Sequence, residues 1–260
     1  MCIRDRNTSV VAIHGNFDNA QSGVKAIFED KELAAELDAK GYQFSSANSI
    51  NIGRLVPQVV YYVYAYAKLL ENEEIQAGEE INVTVPTGNF GNILAAYYAK
   101  NMGLPIKKLI CASNDNKVLY DFFRTGAYDR NRDFILTTSP SMDILISSNL
   151  ERLIYLSTGC DAEETKKRME ELSKDGKYSV TDEMRARMAD FVGGYADQAA
   201  NAAEIKRLYD ETGYMIDTHT GVASCVYHNY VKETGDTKKT VIASTASCLL
   251  YTSDAADDRI

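Results

Sequence analysis

Six residues between two apolar runs carry the first chemistry in this sequence. Thr87-Gly88-Asn89-Phe90-Gly91-Asn92 follows a β-type run at 81–85 and precedes a helix-type run at 93–102, closed by Gly103. Gly88 and Gly91 let the backbone bend and approach a ligand closely. Asn89 and Asn92 tolerate left-handed conformations and carry side-chain amides. A helix that starts here turns unpaired N–H groups and a partial positive charge toward the turn. That combination suits a phosphate monoester that is held in place and not transferred. The turn contains no lysine, and neither a Walker loop nor a Gly-x-Gly-x-x-Gly run occurs at it. The same residue types also serve a plain strand–turn–helix connection.

Two further polar stretches have residue types suited to a ligand. The segment 45–54 reads SSANSINIGR, with Ser46, Asn48, Asn51 and Arg54 among its hydroxyls, amides and single guanidinium. Neutral donors beside one arginine suit an anion; an N-capping loop with Ser49 or Asn51 as cap is the plainer alternative. Ser244-Thr245-Ala246-Ser247 follows a last apolar run at 240–243. A hydroxyl there can hydrogen-bond a ring nitrogen, although a strand-end threonine is more often structural. The sequence offers no metal site. Five cysteines are scattered without a Cys-x-x-Cys pair, three histidines are dispersed, and Cys225 and His228 read as ordinary helix residues. That cysteine usage fits a reducing cytoplasm.

The elements that must position these residues alternate in type. Strands are expected at 10–13, 81–85, 109–112 and 240–243. Helices are expected at 18–38 with Asp18 as N-cap and Val24, Ile27, Phe28 and Leu33 on one side, and at 55–70 with Pro57 in its first turn. Further helices are expected at 93–102, 118–125 up to Gly126, 143–157, 162–174, 181–190, 197–212 and 220–232, with loops at 44–51 and 131–140. The alternation predicts an α/β fold, a parallel sheet flanked by helices, with ligands beyond the carboxyl ends of the strands. A net charge of −9 over 260 residues argues against a duplex nucleic-acid binder. No apolar run approaches the about 20 residues of a membrane span, and no secretory h-region is present. The ends, MCIRDR and CLLYTSDAADD, continue no period and resemble translated adapter read-through. Residues 1–6 and 248–260 are therefore expected to be foreign, and the chain an internal piece of a longer protein.

Together the stretches SSANSINIGR, VPTGNFGN, ASNDNKVLYDFFRTGAYD, TTSPSMDILISSNLERL, IDTHTGVA and IASTAS, spanning about 7–247, resemble the threonine synthases. These are pyridoxal-phosphate (PLP) enzymes of the tryptophan synthase β-like fold, fold type II. The resemblance implies that 7–50 is a remnant of a smaller α/β domain and 51–247 an incomplete large PLP-binding domain. It implies that Gly88, Asn89, Phe90, Gly91 and Asn92 bind the cofactor phosphate, and that Thr245 faces the pyridine nitrogen and leaves it largely unprotonated. Ser46, Asn48, Asn51 and Arg54 match the stretch near the substrate phosphate. Residues 139–143 and His219-Thr220 line or support the pocket, with no chemical step assigned. The implied reaction converts O-phospho-L-homoserine and water to L-threonine and phosphate, with one lysine holding the cofactor and shuttling protons.

Two departures stand out. The family reads Pro where Thr218 stands, and Pro-Phe-Lys-Phe from Cys248 onward. The family's Phe-Lys-Asp lysine context is also absent. Lys25, Lys100, Lys107, Lys108 and Lys117 lack matching neighbours and read as surface residues. The lysine is therefore expected upstream, and this chain alone is expected to be inactive. Other readings are a non-catalytic phosphate-binding module, another fold type II lyase or synthase, and, weakest, a Rossmann domain using Asp115. The sequence does not indicate an oligomeric state.

Overall fold

The computed structural model describes residues 14, 17–46 and 49–247. The strand expected at 10–13, both foreign-looking ends and Asn48 lie outside the described residues. The chain divides into two compact units, 1–45 and 46–260. The sequence reading put the boundary after 50. Within the second unit Asn51 Nδ2 donates to Ser46 O at 3.1 Å and Arg152 Nη2 to Ile50 O at 2.7 Å.

The first unit contains α1 (Phe17–Glu29) and α2 (Lys31–Ala39), where one helix was expected. Asp30 causes the break. Its backbone is extended, at φ −75° and ψ 98°, and its carboxylate caps α2 by accepting from Leu33 N at 2.9 Å. α1 is described from Phe17, which puts Asp18 within the helix. Val24, Ile27 and Phe28 are exposed in this unit, and Phe28 meets Phe44 with ring centroids 5.4 Å apart.

The second unit opens with α3 (Ile52–Leu55), a 3-10 turn over Val56–Gln58 and α4 (Val59–Glu71). Pro57 falls in that 3-10 turn, where its missing N–H costs nothing. Then come β1 (Ile81–Pro86), α5 (Gly91–Asn101), β2 (Ile106–Ser113), α6 (Val118–Thr125) and β3 (Ala127–Asp129). After a 3-10 turn at Pro140–Met142 follow α7 (Leu150–Ser157), α8 (Ala162–Asp175), β4 (Lys177–Ser179) and α9 (Asp182–Arg187). The unit closes with β5 (Phe191–Tyr195), α10 (Gln198–Thr212), α11 (Thr218–Thr234) and β6 (Thr240–Ile242).

Four of these strands form a parallel sheet in the order β5-β2-β1-β6. β3 and β4 make a separate antiparallel ribbon, with Tyr128 and Tyr178 stacked 5.3 Å apart. Alternate strand residues face opposite sides, so β2 feeds two cores. Leu109 and Cys111 join Val83 and Val85 beneath α4 to α7, and Ile110 and Ala112 pack on Val222, Ala223 and Val226 of α11. β5 was not anticipated, because Gly193 and Gly194 argue against a strand by propensity. Packing explains them: a Cβ on Gly194 would lie 2.4 Å from Val226 Cγ1, so α11 sits this close only over glycine. No helix among the described residues is long and apolar enough to cross a membrane.

Candidate functional site

β1 runs straight into the 87–92 turn, and the turn opens α5. Within it the left-handed residue is neither a glycine nor an asparagine. It is Phe90, at φ 63° and ψ 3°. A bulky residue holds that conformation only where its surroundings over-determine it. Its ring is 1% exposed and lies 6.0 Å from Phe123 and 5.6 Å from Phe191, which are themselves stacked 5.3 Å apart. The aromatic cluster thus anchors the turn from below. Among the described residues no side chain caps α5, and the first N–H groups of a helix have no acceptor within it.

The turn's carbonyls are drawn away on another side. Ser147 Oγ donates to Gly88 O at 2.7 Å. Asn149 donates to Asn89 O through its backbone N–H at 3.1 Å and through Nδ2 at 2.9 Å. These bonds account for a difference from expectation: 143–149 is not helical, because Ser147 and Asn149 serve the turn, and α7 starts only at Leu150. Gly88 and Gly91 are required by close packing. A Cβ on Gly88 would meet Ser141 O at 2.5 Å, and one on Gly91 would meet Ser49 Oγ at 2.4 Å.

The turn lines a cavity of about 260 Å³ at the carboxyl ends of β1 and β6. Gly88, Asn89, Phe90, Gly91, Asn92 and Thr245 all line it. So do Ser49 and Gln58, which the sequence reading did not assign, and Ser141, Met142 and His219. Gln58 and Asn92 also border a neighbouring cavity of about 550 Å³ with Tyr61, Tyr62 and Thr245. Among the described residues no lysine, arginine or carboxylate lines the smaller cavity, so an anion there meets backbone N–H groups and the helix dipole.

Other expected site residues have different duties. Asn92 spends its amide on α4: Tyr62 Oη donates to its Oδ1, and its Nδ2 donates to Gln58 Oε1 at 3.1 Å. Burial pushes the Tyr62 phenol well above its ordinary range, so it remains a donor. Asn89 Oδ1 accepts from Ser148 Oγ at 3.3 Å. Asn51 caps α3, accepting from Gly53 N at 2.9 Å. Asn51, Ser46 and Arg54 stand outside the cavity lining, and Arg54 is exposed. Ser49 is the member of this stretch that reaches the wall, with Asn149 Nδ2 donating to its Oγ at 3.0 Å. Nearby Cys111 is no nucleophile, since burial pushes its thiol up to about 12.

Opposite the turn, residues 139–143 are pinned by buried Asp143. Its Oδ1 accepts from Asn114 Nδ2 at 2.8 Å and Thr137 Oγ1 at 2.7 Å, and its Oδ2 from Thr137 N at 2.9 Å. His219 reaches the same segment: Ser141 N donates to its Nε2 at 3.2 Å. Burial lowers the His219 pKa against the pull of Asp217. Because Nε2 accepts from Ser141 N, the ring is neutral in this arrangement and Nδ1 carries the proton. His219 Nδ1 lies 3.3 Å from Asp217 Oδ1.

In sequence the chain is 44% identical over 223 residues to threonine synthase-like 1 of Macaca fascicularis, matching 85% of this chain and 30% of that one. It is 35% identical over 248 residues to threonine synthase of Saccharomyces cerevisiae, matching 90% of this chain and 47% of that one. It superposes on the crystal structure of PLP-bound threonine synthase from Brucella melitensis with a TM-score of 0.77 and 38% identity, covering 89% of this chain and 47% of that one. No protein-family model matches the chain. The chain thus spans less than half the length of these relatives. The parallel sheet and its flanking helices have the fold type II architecture of that solved structure.

Proposed function

The chain belongs to the threonine synthase family, and we propose that its cavity holds PLP by the phosphate for conversion of O-phospho-L-homoserine and water to L-threonine and phosphate. The start of α5, uncapped among the described residues and facing a cavity whose described lining holds no lysine, arginine or carboxylate, is the observation that carries this reading. The residues fit a phosphate ester. Gly88 and Gly91 leave no room for side chains, Phe90 sets the turn's direction, and the carbonyls of Gly88 and Asn89 are bonded elsewhere. Thr245, three residues beyond β6, is a hydroxyl available to a ring nitrogen.

When bound, PLP would supply an electron sink for removal of a proton from the amino-bearing carbon. The chain's own residues bind and orient. The 88–92 turn holds the phosphate, Thr245 meets the ring, and Ser49 closes one wall. Arg54, exposed on α3, is the guanidinium of the 46–54 stretch offered to the substrate phosphate. Among the described residues no lysine lines the cavity, and this polypeptide by itself is expected to show no turnover. The same observation favours a second reading, a phosphate-binding module without catalysis. Three free cysteines among the described residues support a reducing, cytoplasmic setting.

Equilibrium dialysis of the purified chain against PLP and against pyridoxal tests the reading. Binding that depends on the phosphate is expected; equal affinity for both compounds contradicts it. Release of phosphate from O-phospho-L-homoserine by this chain alone would show that a lysine outside the cavity lining suffices.

A further inference from the structure

Three walls of the cavity meet at one carboxylate that does not itself line it. Asp217 is the N-cap of α11. Its Oδ1 accepts from His219 N at 2.9 Å and Thr220 N at 3.1 Å, which satisfies the start of the helix. Capping alone would use that single oxygen. Oδ2 accepts from Thr220 Oγ1 and, at 3.4 Å, from Ser244 Oγ. Thr220 Oγ1 and Ser244 Oγ are 2.8 Å apart, so the two hydroxyls bridge α11 to the segment that carries Thr245. On the other side Oδ1 faces Nδ1 of His219, whose Nε2 accepts from Ser141 N. Ser141 in turn presses its carbonyl on Gly88.

We infer that Asp217 is a positioning residue that sets the 139–142 turn, the start of α11 and the Thr245 segment in one register around the phosphate-ester site. The role of the site rests on the proposed function; the register does not. In this arrangement His219 is a strut and not an acid or base. Both its nitrogens are engaged by protein, one accepting from Ser141 and one directed at Asp217. Thr220 and Ser224 follow on the buried face of α11, but only Thr220 reaches toward β6; Ser224 Oγ donates to Glu204.

The test uses the full chain and three variants. Nitrogen NMR of His219 in the wild type is expected to show Nδ1 protonated and Nε2 bare at neutral pH; the opposite tautomer overturns the strut. D217A removes all four accepted bonds and is expected to shift the backbone amide signals of both Ser141 and Thr245, and to weaken PLP binding about tenfold as the walls lose their register. D217N retains a capping oxygen and is expected to recover most of the affinity. T220V keeps the cap and should move Thr245 but not Ser141. If D217A lowers only the melting temperature and leaves both amides and the affinity unchanged, Asp217 is a helix cap and the inference fails. If the wild type binds no PLP, the proposed function fails, while the amide shifts and the tautomer still decide the role of Asp217.

Discussion

Two helix starts face the same cavity, and they are built in opposite ways. α11 begins at Asp217, whose carboxylate satisfies the first N–H groups and ties the helix to its neighbours. α5 begins after Phe90, in a left-handed conformation with no side-chain cap. A capped start has used its donors and serves as a strut. An uncapped start keeps them for something else, and the fold holds it open by other means: a buried aromatic cluster below and bonds to its carbonyls from Ser147 and Asn149. The difference assigns anion binding to one end and positioning to the other, although both carry the same dipole.

The strongest way to break this contrast is to remove the anchor of the open end. Phe90→Ala deletes a fully buried ring and is expected to cost about 3–5 kcal/mol in denaturant unfolding. Phe90→Gly loses the same ring but relieves the positive φ, so it should be about 1 kcal/mol less destabilised than alanine, reversing the usual order. If alanine proves the more stable, the left-handed turn is not strained.

A smaller effect is expected at Gly88. An alanine Cβ there would sit 2.5 Å from the carbonyl oxygen of Ser141, a backbone atom that cannot rotate aside. The expected cost is about 1–3 kcal/mol, together with weaker PLP binding, because relief requires moving the 139–142 turn. An unchanged affinity in a folded Gly88→Ala variant would separate that turn from the site.

The smallest effect serves as a control away from both helix starts. Asp236 accepts from Lys107 Nζ at 3.0 Å, Tyr230 Oη at 2.8 Å and Asn82 Nδ2 at 3.2 Å. Burial opposes its charge, but these donors hold its carboxyl well below the usual carboxylate range. A carboxylate with a depressed folded pKa contributes stability above its unfolded pKa and loses it as pH falls through the folded one. Asp236→Asn should therefore lower the melting temperature at neutral pH and flatten its acid decline, leaving PLP affinity unchanged. An acid limb identical to the wild type would remove Asp236 from the linkage.

Much of this arrangement was legible in residue order. Runs of β-branched and aliphatic residues marked β1, β2 and β6, and the turn at 88–92 announced itself by type and spacing. The illegible parts depend on long-range contacts. β5 hides behind Gly193-Gly194, whose reason is the proximity of Tyr120 and Val226. The apolar pattern at 143–149 looked helical, but Ser147 and Asn149 are claimed by a turn about 60 residues earlier. Asn92 looked like a ligand amide, yet Tyr62 and Gln58 occupy it. Ser49 and Asn51 were both candidate caps; Asn51 caps α3, and Ser49 reaches the cavity.

The most direct measurement is a backbone amide NMR titration of this chain with PLP, compared with pyridoxal at equal concentration. The account predicts that the phosphate-dependent shifts concentrate on the N–H groups of 88–93, with those of His219 and Thr220 nearly still. Phosphate-dependent shifts centred on the start of α11 or on Arg54, with the 88–93 amides unmoved, would contradict it.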